Sequence, residues 1–389
     1  MLNNIKSKDV LQLIIKTYLS RIKSLSLLKY NKHLQNILNI TKKDFELLNL
    51  IEIELIPINQ LKNKKNNFIC NNSNNLFMRQ NLSFYHFFFD SNKSETKKDF
   101  ITKDEKVNKI KIVIDKEEKS LRGLFTFCEC LKEINFIKFR RKDIVDMREM
   151  FAFCKSLSKI NFIDFRTNNV IKMSQMFRSC LSLIELDLSN FTLTNLTHMN
   201  DMFSGCCNLK KINLSKIDTS HVINMNNIFN GCSSLEYLDL SELDTSNVID
   251  MGFMFFNCSS LKEIKFSEKF VTSKVKDMSL MFSGCSKLTK LNIDKFDTTN
   301  VVNMYRMFDA CTALEKLDLN NFNTANVIDM RFMFNGCKSL IDLNIDNFIF
   351  NKKCCMHWMF SDTSQELKNK MKEKKLNISN LGFEDYLIE

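Results

Sequence analysis

The chain has 389 residues, 44% of them hydrophobic, and carries 56 Lys and Arg against 45 Asp and Glu. One proline and seven glycines exclude collagen-like and Pro/Gly-rich disordered chains, and no run approaches the ~18 apolar residues of a membrane helix. The net charge of +11 is uneven, since residues 1–120 hold 22 basic against 13 acidic side chains while 121–350 hold 27 against 26.

In chain order, residues 8–39 read as two helices. Leu11, Ile14, Tyr18, Ile22 and Leu25 recur at three- and four-residue spacing, and LKYNKHLQNIL follows. Thr41 and Asp44 offer a cap for a third helix, DFELLNLIEIEL, over 44–55. Residues 1–60 are thus expected to form a helical cap or docking region. Residues 61–106, with KNKKNNFICNNSNN and DSNKSETKKDFITKDEK, read as a polar, flexible linker. VNKIKIVID alternates Ile110, Ile112 and Ile114 and reads as the strand that opens the next region.

Residues 107–360 are dominated by a repeat. Phe125, Phe151, Phe177, Phe203, Phe229, Phe255, Phe282, Phe308, Phe334 and Phe360 follow one another at 26 residues, with a single step of 27 after Phe255. A fixed period in this range marks a solenoid. In the repeat around 244–270, Asp-Thr-Ser offers a helix cap, and Val248, Met251, Met254 and Phe255 lie at helical spacing. Leu261, Ile264 and Phe266 then alternate as a short strand. The expected architecture is an α/β solenoid of ten helix–strand units with a parallel sheet, counting the strand near Ile112. Residues 361–389 close it as a polar capping segment.

Leu235, Leu238 and Leu240 match the L-x-x-L-x-L core of leucine-rich repeats. The longer phrases DTSNVIDMGFMFFNCSSLKEI and DTTNVVNMYRMFDACTALEKL resemble the BspA-type leucine-rich repeats, first associated with Mycoplasma and other bacterial surface proteins and also with protist proteins. The resemblance implies a right-handed solenoid with a binding or adhesion role and brings no catalytic residues. The Asn usual after the strand of ordinary leucine-rich repeats is replaced by a pattern of Cys and Phe.

The cysteine column Cys128, Cys154, Cys180, Cys206, Cys232, Cys258, Cys285, Cys311 and Cys337 gives one sulfur per repeat. Metal sites group their ligands in close pairs, so these read as buried hydrophobes, and the accessible thiols are expected elsewhere, as at Cys70. Methionines from Met147 to Met356 and from Met150 to Met359 likewise fit core spacing. Phosphate loops, His-Glu-x-x-His, nucleophile elbows and paired CxxC motifs do not occur, and neither enzyme activity nor a cofactor is expected.

Function is therefore sought on outward strand positions. Glu133, Lys159, Glu185 and Lys211 alternate in sign, which suits cross-strand pairing as well as a binding ladder. The pattern breaks at mid-array, where Tyr237, Asp239, Glu263, Lys265, Lys290 and Lys316 form the expected partner-binding patch. The reading is a non-enzymatic protein-interaction scaffold or adhesion module, monomeric, with another protein as partner. One alternative is a ubiquitin-ligase substrate adaptor, because KDVLQLIIKTYLSRIKSL faintly resembles an F-box helix. A second is nucleic-acid binding through the basic N-terminal part, disfavoured because its basic residues are interspersed with acids. The apolar run LQLII is too short for a signal-peptide core of ~7–15 residues. A cytoplasmic location with reduced thiols is therefore expected, and surface display is the alternative that the resemblance implies.

Overall fold

The computed structural model describes residues 50–61, 63–70, 82–92, 94–115, 119–139, 141, 143–163, 165–374, 378 and 380–385. The two helices expected over 8–39, the F-box-like stretch among them, lie outside the described residues.

Five strands precede the repeats: β1 (Ile51–Pro57), β2 (Lys65–Asn67), β3 (Tyr85–Phe89), β4 (Phe100–Thr102) and β5 (Ile110–Ile114). They correct three expectations. Over 51–55 the third helix gives way to β1, because Ile51, Ile53 and Leu55 are fully buried while Glu52 and Glu54 point away, a period of two; its first residues, 44–49, lie outside the described ones. The stretch 61–106 is not a bare linker, since β2, β3 and β4 fall within it. Finally, β5 belongs to this N-terminal sheet and does not open the solenoid. The order is β3-β5-β1, and β1 pairs antiparallel with both β5 and β6 (Leu131–Phe139). Glu52 holds the junction, with Lys111 of β5 at 2.6 Å and Lys138 of β6 at 2.8 Å.

From β6 onward the sheet is parallel. β7 (Lys159–Phe162) pairs with β6, β8 (Glu185–Asp187) with β9 (Lys211–Asn213), β10 (Tyr237–Asp239) with β11 (Glu263–Lys265), and β12 (Lys316–Asp318) with β13 (Asp342–Asn344). Among the described residues, the turn at 288–293 carries no strand, and the repeats hold eight strands in four parallel pairs, not one sheet of ten. A second parallel ladder of single bridges runs without a break from Ser120↔Asp146 to Asp329↔Cys355. One apolar core extends from Ile51 to Met371.

The repeat unit is not helix and strand. Among the described residues the only α-helix is α1 (Gln365–Glu373), outside the repeats. Where Met251 to Cys258 was expected to be helical, the chain folds as a ribbon of tight turns. Met254 N donates to Met251 O at 3.3 Å, Phe256 N to Phe253 O at 3.1 Å and Cys258 N to Phe255 O at 3.1 Å. The intervening amides reach the next repeat: Met251 N to Asp277 O, Phe253 N to Ser279 O, Phe255 N to Met281 O and Asn257 N to Ser283 O, at 2.8–3.1 Å. An α-helix satisfies its amides four residues back in its own chain, leaving neighbouring turns joined by side chains alone. Here half of the donors stitch turn to turn. The left-handed backbone at Phe253 (φ 58°) and Asn257 (φ 57°) is what prevents a helix from continuing.

The stacked turns superpose identical side chains. Rings of the Phe column lie 5.4–6.0 Å apart with planes within 17° of parallel. Past the last repeat, Phe383 stacks on Phe360 at 5.3 Å, and Gly382 O accepts the Phe360 amide at 2.9 Å. The tail thereby supplies the ring and carbonyl that a further turn would bring. Helix α1 is capped by Ser364, whose hydroxyl accepts from Leu367 N, and buries Leu367 and Met371.

Candidate functional site

Tyr237, Asp239, Glu263 and Lys265 come together. The parallel register sets Tyr237 beside Glu263 and Asp239 beside Lys265, and Lys265 Nζ lies 3.0 Å from Asp239 Oδ2. Hydrogen bonds from Ser241, and then the Lys265 ammonium, hold the Asp239 carboxyl below its ordinary range; the carboxylate in turn raises Lys265. Tyr237 stands 48% exposed beside them. Lys290 is exposed on the following turn, outside any named strand. Lys316 lies one turn further, 3.7 Å from Asp342 of β13. The patch is therefore a tyrosine flanked by a closed ion pair, with the lysines of the next two turns beyond it.

The outward Asn and Asp residues have a role that sequence reasoning missed. Asp187, Asn213, Asp239, Asn292, Asp318 and Asn344 each accept the amide two residues on, at 2.9–3.3 Å. These are Asx turns that end the strands. Lys265 makes no such turn, and it stands in the one repeat with an extra residue.

The cysteine column is equally ordered. From Cys154 to Cys337, each Sγ–H donates to the Phe carbonyl of the preceding repeat at 2.9–3.2 Å. Phe125 O, for example, also accepts Cys128 N at 3.0 Å, so both lone pairs of a buried carbonyl are used. Burial pushes these thiols up, to about 12 at Cys206 and Cys258. No disulfide joins the fourteen cysteines; Cys355 is exposed and Cys207 half-buried, whereas Cys70 is buried, which corrects the expectation for Cys70. Among the described residues, no group of three His, Cys, Asp or Glu is placed to hold a metal, and no helix is long and apolar enough to cross a membrane.

A further cluster escaped the sequence. On the turn ribbon, Phe332 stacks on Trp358 at 5.0 Å, the Arg306 guanidinium lies 4.4 Å from the Phe332 ring, and Arg331 lies 5.2 Å from Tyr305. Both arginines are paired, Arg306 with Asp309 at 3.0 Å and Arg331 with Asp329 at 2.6 Å. Its signal was the run of large residues two places after the first Met of successive repeats.

A family model described as "Mycoplasma protein of unknown function, DUF285" matches residues 119–213, 182–266 and 263–373. No curated protein is significantly similar to the chain. Among solved structures, a leucine-rich repeat protein from Bacteroides ovatus is 17% identical over 62% of this chain and 68% of its own, with a TM-score of 0.35. The T. pallidum leucine-rich repeat protein is 17% identical over 66% and 92%, with a TM-score of 0.28. A leucine-rich cell surface protein from Faecalibacterium prausnitzii is 18% identical over 59% and 76%, with a TM-score of 0.25.

Proposed function

The chain belongs to the DUF285 family, described as Mycoplasma proteins of unknown function, and on that premise we propose that it is a non-enzymatic protein-interaction scaffold or adhesion module. Its partner is a protein with an acidic or mixed-charge surface, met on the sheet face around Tyr237, Asp239, Glu263, Lys265, Lys290 and Lys316. The observation that carries this reading is the contrast at β10. Inward Leu238 is 1% exposed while outward Tyr237 is 48% exposed, an aromatic anchor in a column otherwise filled by charges. Inward positions nearly repeat and cannot encode a choice of partner. A buried thiol column and the absence of catalytic motifs agree with a scaffold in a reducing compartment; surface display is the alternative location.

A photo-crosslinking side chain at position 237 should capture one protein in the native cell. The same group at Ile249, which is also exposed, should not capture that protein. Tyr237→Ala combined with Lys290→Glu should weaken recovery of that protein about tenfold. If the double variant binds fully while removal of residues 1–49 abolishes binding, the sheet face is not the site, and the N-terminal adaptor reading takes its place.

A further inference from the structure

Arginines in this chain close on carboxylates. Arg122, Arg141, Arg148, Arg178, Arg306 and Arg331 each reach one at 2.6–3.8 Å. Among the described residues Arg166 is the exception, exposed and without an ion pair, hydrogen bond or ring contact. Its place in the repeat is also unusual. Four later repeats put Asp218, Asp244, Asp297 and Asn323 there, and each side chain accepts the amide two residues on at 2.9–3.1 Å. A guanidinium only donates, so this repeat gives up that turn-closing bond for an unpaired cation.

The cation stands in a groove of about 820 Å³ where β7 and β8 end, a size that suits a small ligand or a few side chains of a peptide. Asn168, Asn190 and Thr192 line it with Arg166; all are exposed, and no hydrogen bond within the chain holds their side chains. Ile163, 58% exposed, supplies an apolar wall. Asp187 is the one acid among the described lining residues, and its Oδ1 already accepts Ser189 N at 2.9 Å. Asp164 lies outside the described residues. Arg166 and Asp187 together leave the described lining without net charge, which favours a monoanion over a doubly charged phosphate. A carboxylate fits, because its two oxygens match the fork of a guanidinium and its alkyl stem suits the apolar wall. Asp187 and Asp239 hold the same outward position two repeats apart, ~10 Å at ~4.8 Å per turn and roughly three extended residues.

We propose, resting on the sheet face read above as the partner surface, that Arg166 and this groove bind the carboxylate of an Asp or Glu in an extended acidic segment of the partner protein. The groove is then a second anchor beside Tyr237 and says what the partner must carry. Asn168, Asn190 and Thr192 supply further donors for the lone pairs that one guanidinium leaves open. Lysine does not replace Arg166, because an ammonium is a point charge without the fork.

The test is fluorescence anisotropy of a fluorescein-labelled hexaglutamate peptide titrated with the full chain from ~1 µM to ~1 mM, a range that brackets weak to moderate binding. Saturable binding is expected, and none with hexaglutamine. Arg166→Gln should raise the dissociation constant about tenfold and Arg166→Lys roughly threefold. Asp187→Asn, which keeps the strand-end turn, should lower it roughly threefold. Lys352→Gln removes the same charge from an exposed position outside the groove and should stay within about twofold of the parent. Unchanged thermal melting shows that each variant is folded. Absence of saturable binding overturns the proposal, as does an Arg166→Gln variant that binds like the parent, a Lys352→Gln variant weakened as much as Arg166→Gln, or an Asp187→Asn variant that binds more weakly. If the peptide ignores Arg166 while a crosslinker at position 237 still captures a protein, the groove falls and the sheet face stands. If the peptide answers to Arg166 while position 237 captures nothing, the Tyr237 anchor falls instead.

Discussion

Phe229 lies in the middle of the aromatic column, fully buried, with Phe203 at 5.5 Å on one side and Phe255 at 6.0 Å on the other. Replacing it with Ala removes a phenyl ring from a close-packed interior, a change that costs about 3–5 kcal/mol. Stacked pairs contribute ~0.5–1.5 kcal/mol each, and Phe229 loses two of them, so we expect the upper end, about 5 kcal/mol. Against a typical total of ~5–15 kcal/mol that is a third of the stability or more. Guanidinium unfolding followed by far-UV circular dichroism reads the change. The sharper measurement is a pair of double-mutant cycles. Phe229→Ala with Phe255→Ala removes adjacent rings and should depart from additivity by ~0.5–1.5 kcal/mol, whereas Phe229→Ala with Phe308→Ala should add within ~0.5 kcal/mol. A single substitution costing less than ~2 kcal/mol, or two cycles equally additive, would show that the column does not couple the turns.

The buried thiols predict a steep alkaline limb. Cys206, Cys258 and Cys337 are pushed from about 9.0 to about 12 by burial. Folded and unfolded thiols are both protonated below pH 9, and between 9 and 12 only the unfolded ones ionise. Stability is then lost as pH rises, by up to ~1.4 kcal/mol per pH unit for each thiol. Native labelling should reach Cys355 and Cys207 first, and unchanged stability between pH 9 and 11 would contradict the account. The strand-end turns predict a small contrast at Asp187, whose carboxylate accepts Ser189 N at 2.9 Å. Asp187→Asn should change stability by less than ~0.5 kcal/mol, because Asn213 makes the same turn, while Asp187→Ala should cost about 1 kcal/mol. That backbone hydrogen bond, first among the causes, lowers the Asp187 pKa, so its share of stability is present above the carboxylate range and fades as pH falls through the lowered value. The Asn variant should lack this acid limb.

The 26-residue period and the inward columns were legible because recurrence alone reveals them, whatever the backbone does between. The helix was misread for a physical reason. Met251, Met254, Phe255 and Cys258 are spaced as a helix would space them, but a ribbon of tight turns also brings every third or fourth side chain to one face. Only the destination of the amides separates the two, and that depends on φ at two residues per repeat. One signal was available. Gly205, Gly231, Gly284 and Gly336 share one register and all have φ of 69–77°, and a glycine that returns at one place in four repeats marks a left-handed position. The N-terminal sheet was hidden for another reason. Alternation at Ile51, Ile53 and Leu55 is plain, yet β1 makes sense only between β5 and β6, whose pairings with it span tens of residues. Of the outward patch, the side-by-side placement of Asp239 and Lys265 followed from the period, while the Asx turns did not.

Left-handed positions also explain where the outward surface could diversify. In the earlier repeats this left-handed position is held by Gly123, Glu149, Gln175, Asp201 and Asn227; in the later ones it is held by Phe253, Leu280, Arg306, Phe332 and Trp358, with φ of 52–58°. That conformation costs an ordinary side chain ~1–2 kcal/mol, and a column at 4.8 Å spacing offers compensation only if neighbours are large together. Arg306 against Phe332 and Phe332 against Trp358 are that compensation. A single aromatic among the polar residues of the earlier turns would keep the strain and gain no ring stack, whereas Arg306, Phe332 and Trp358 stand in successive turns. Contiguity of this kind is what turns drift at outward positions into a coherent surface at one end of the array.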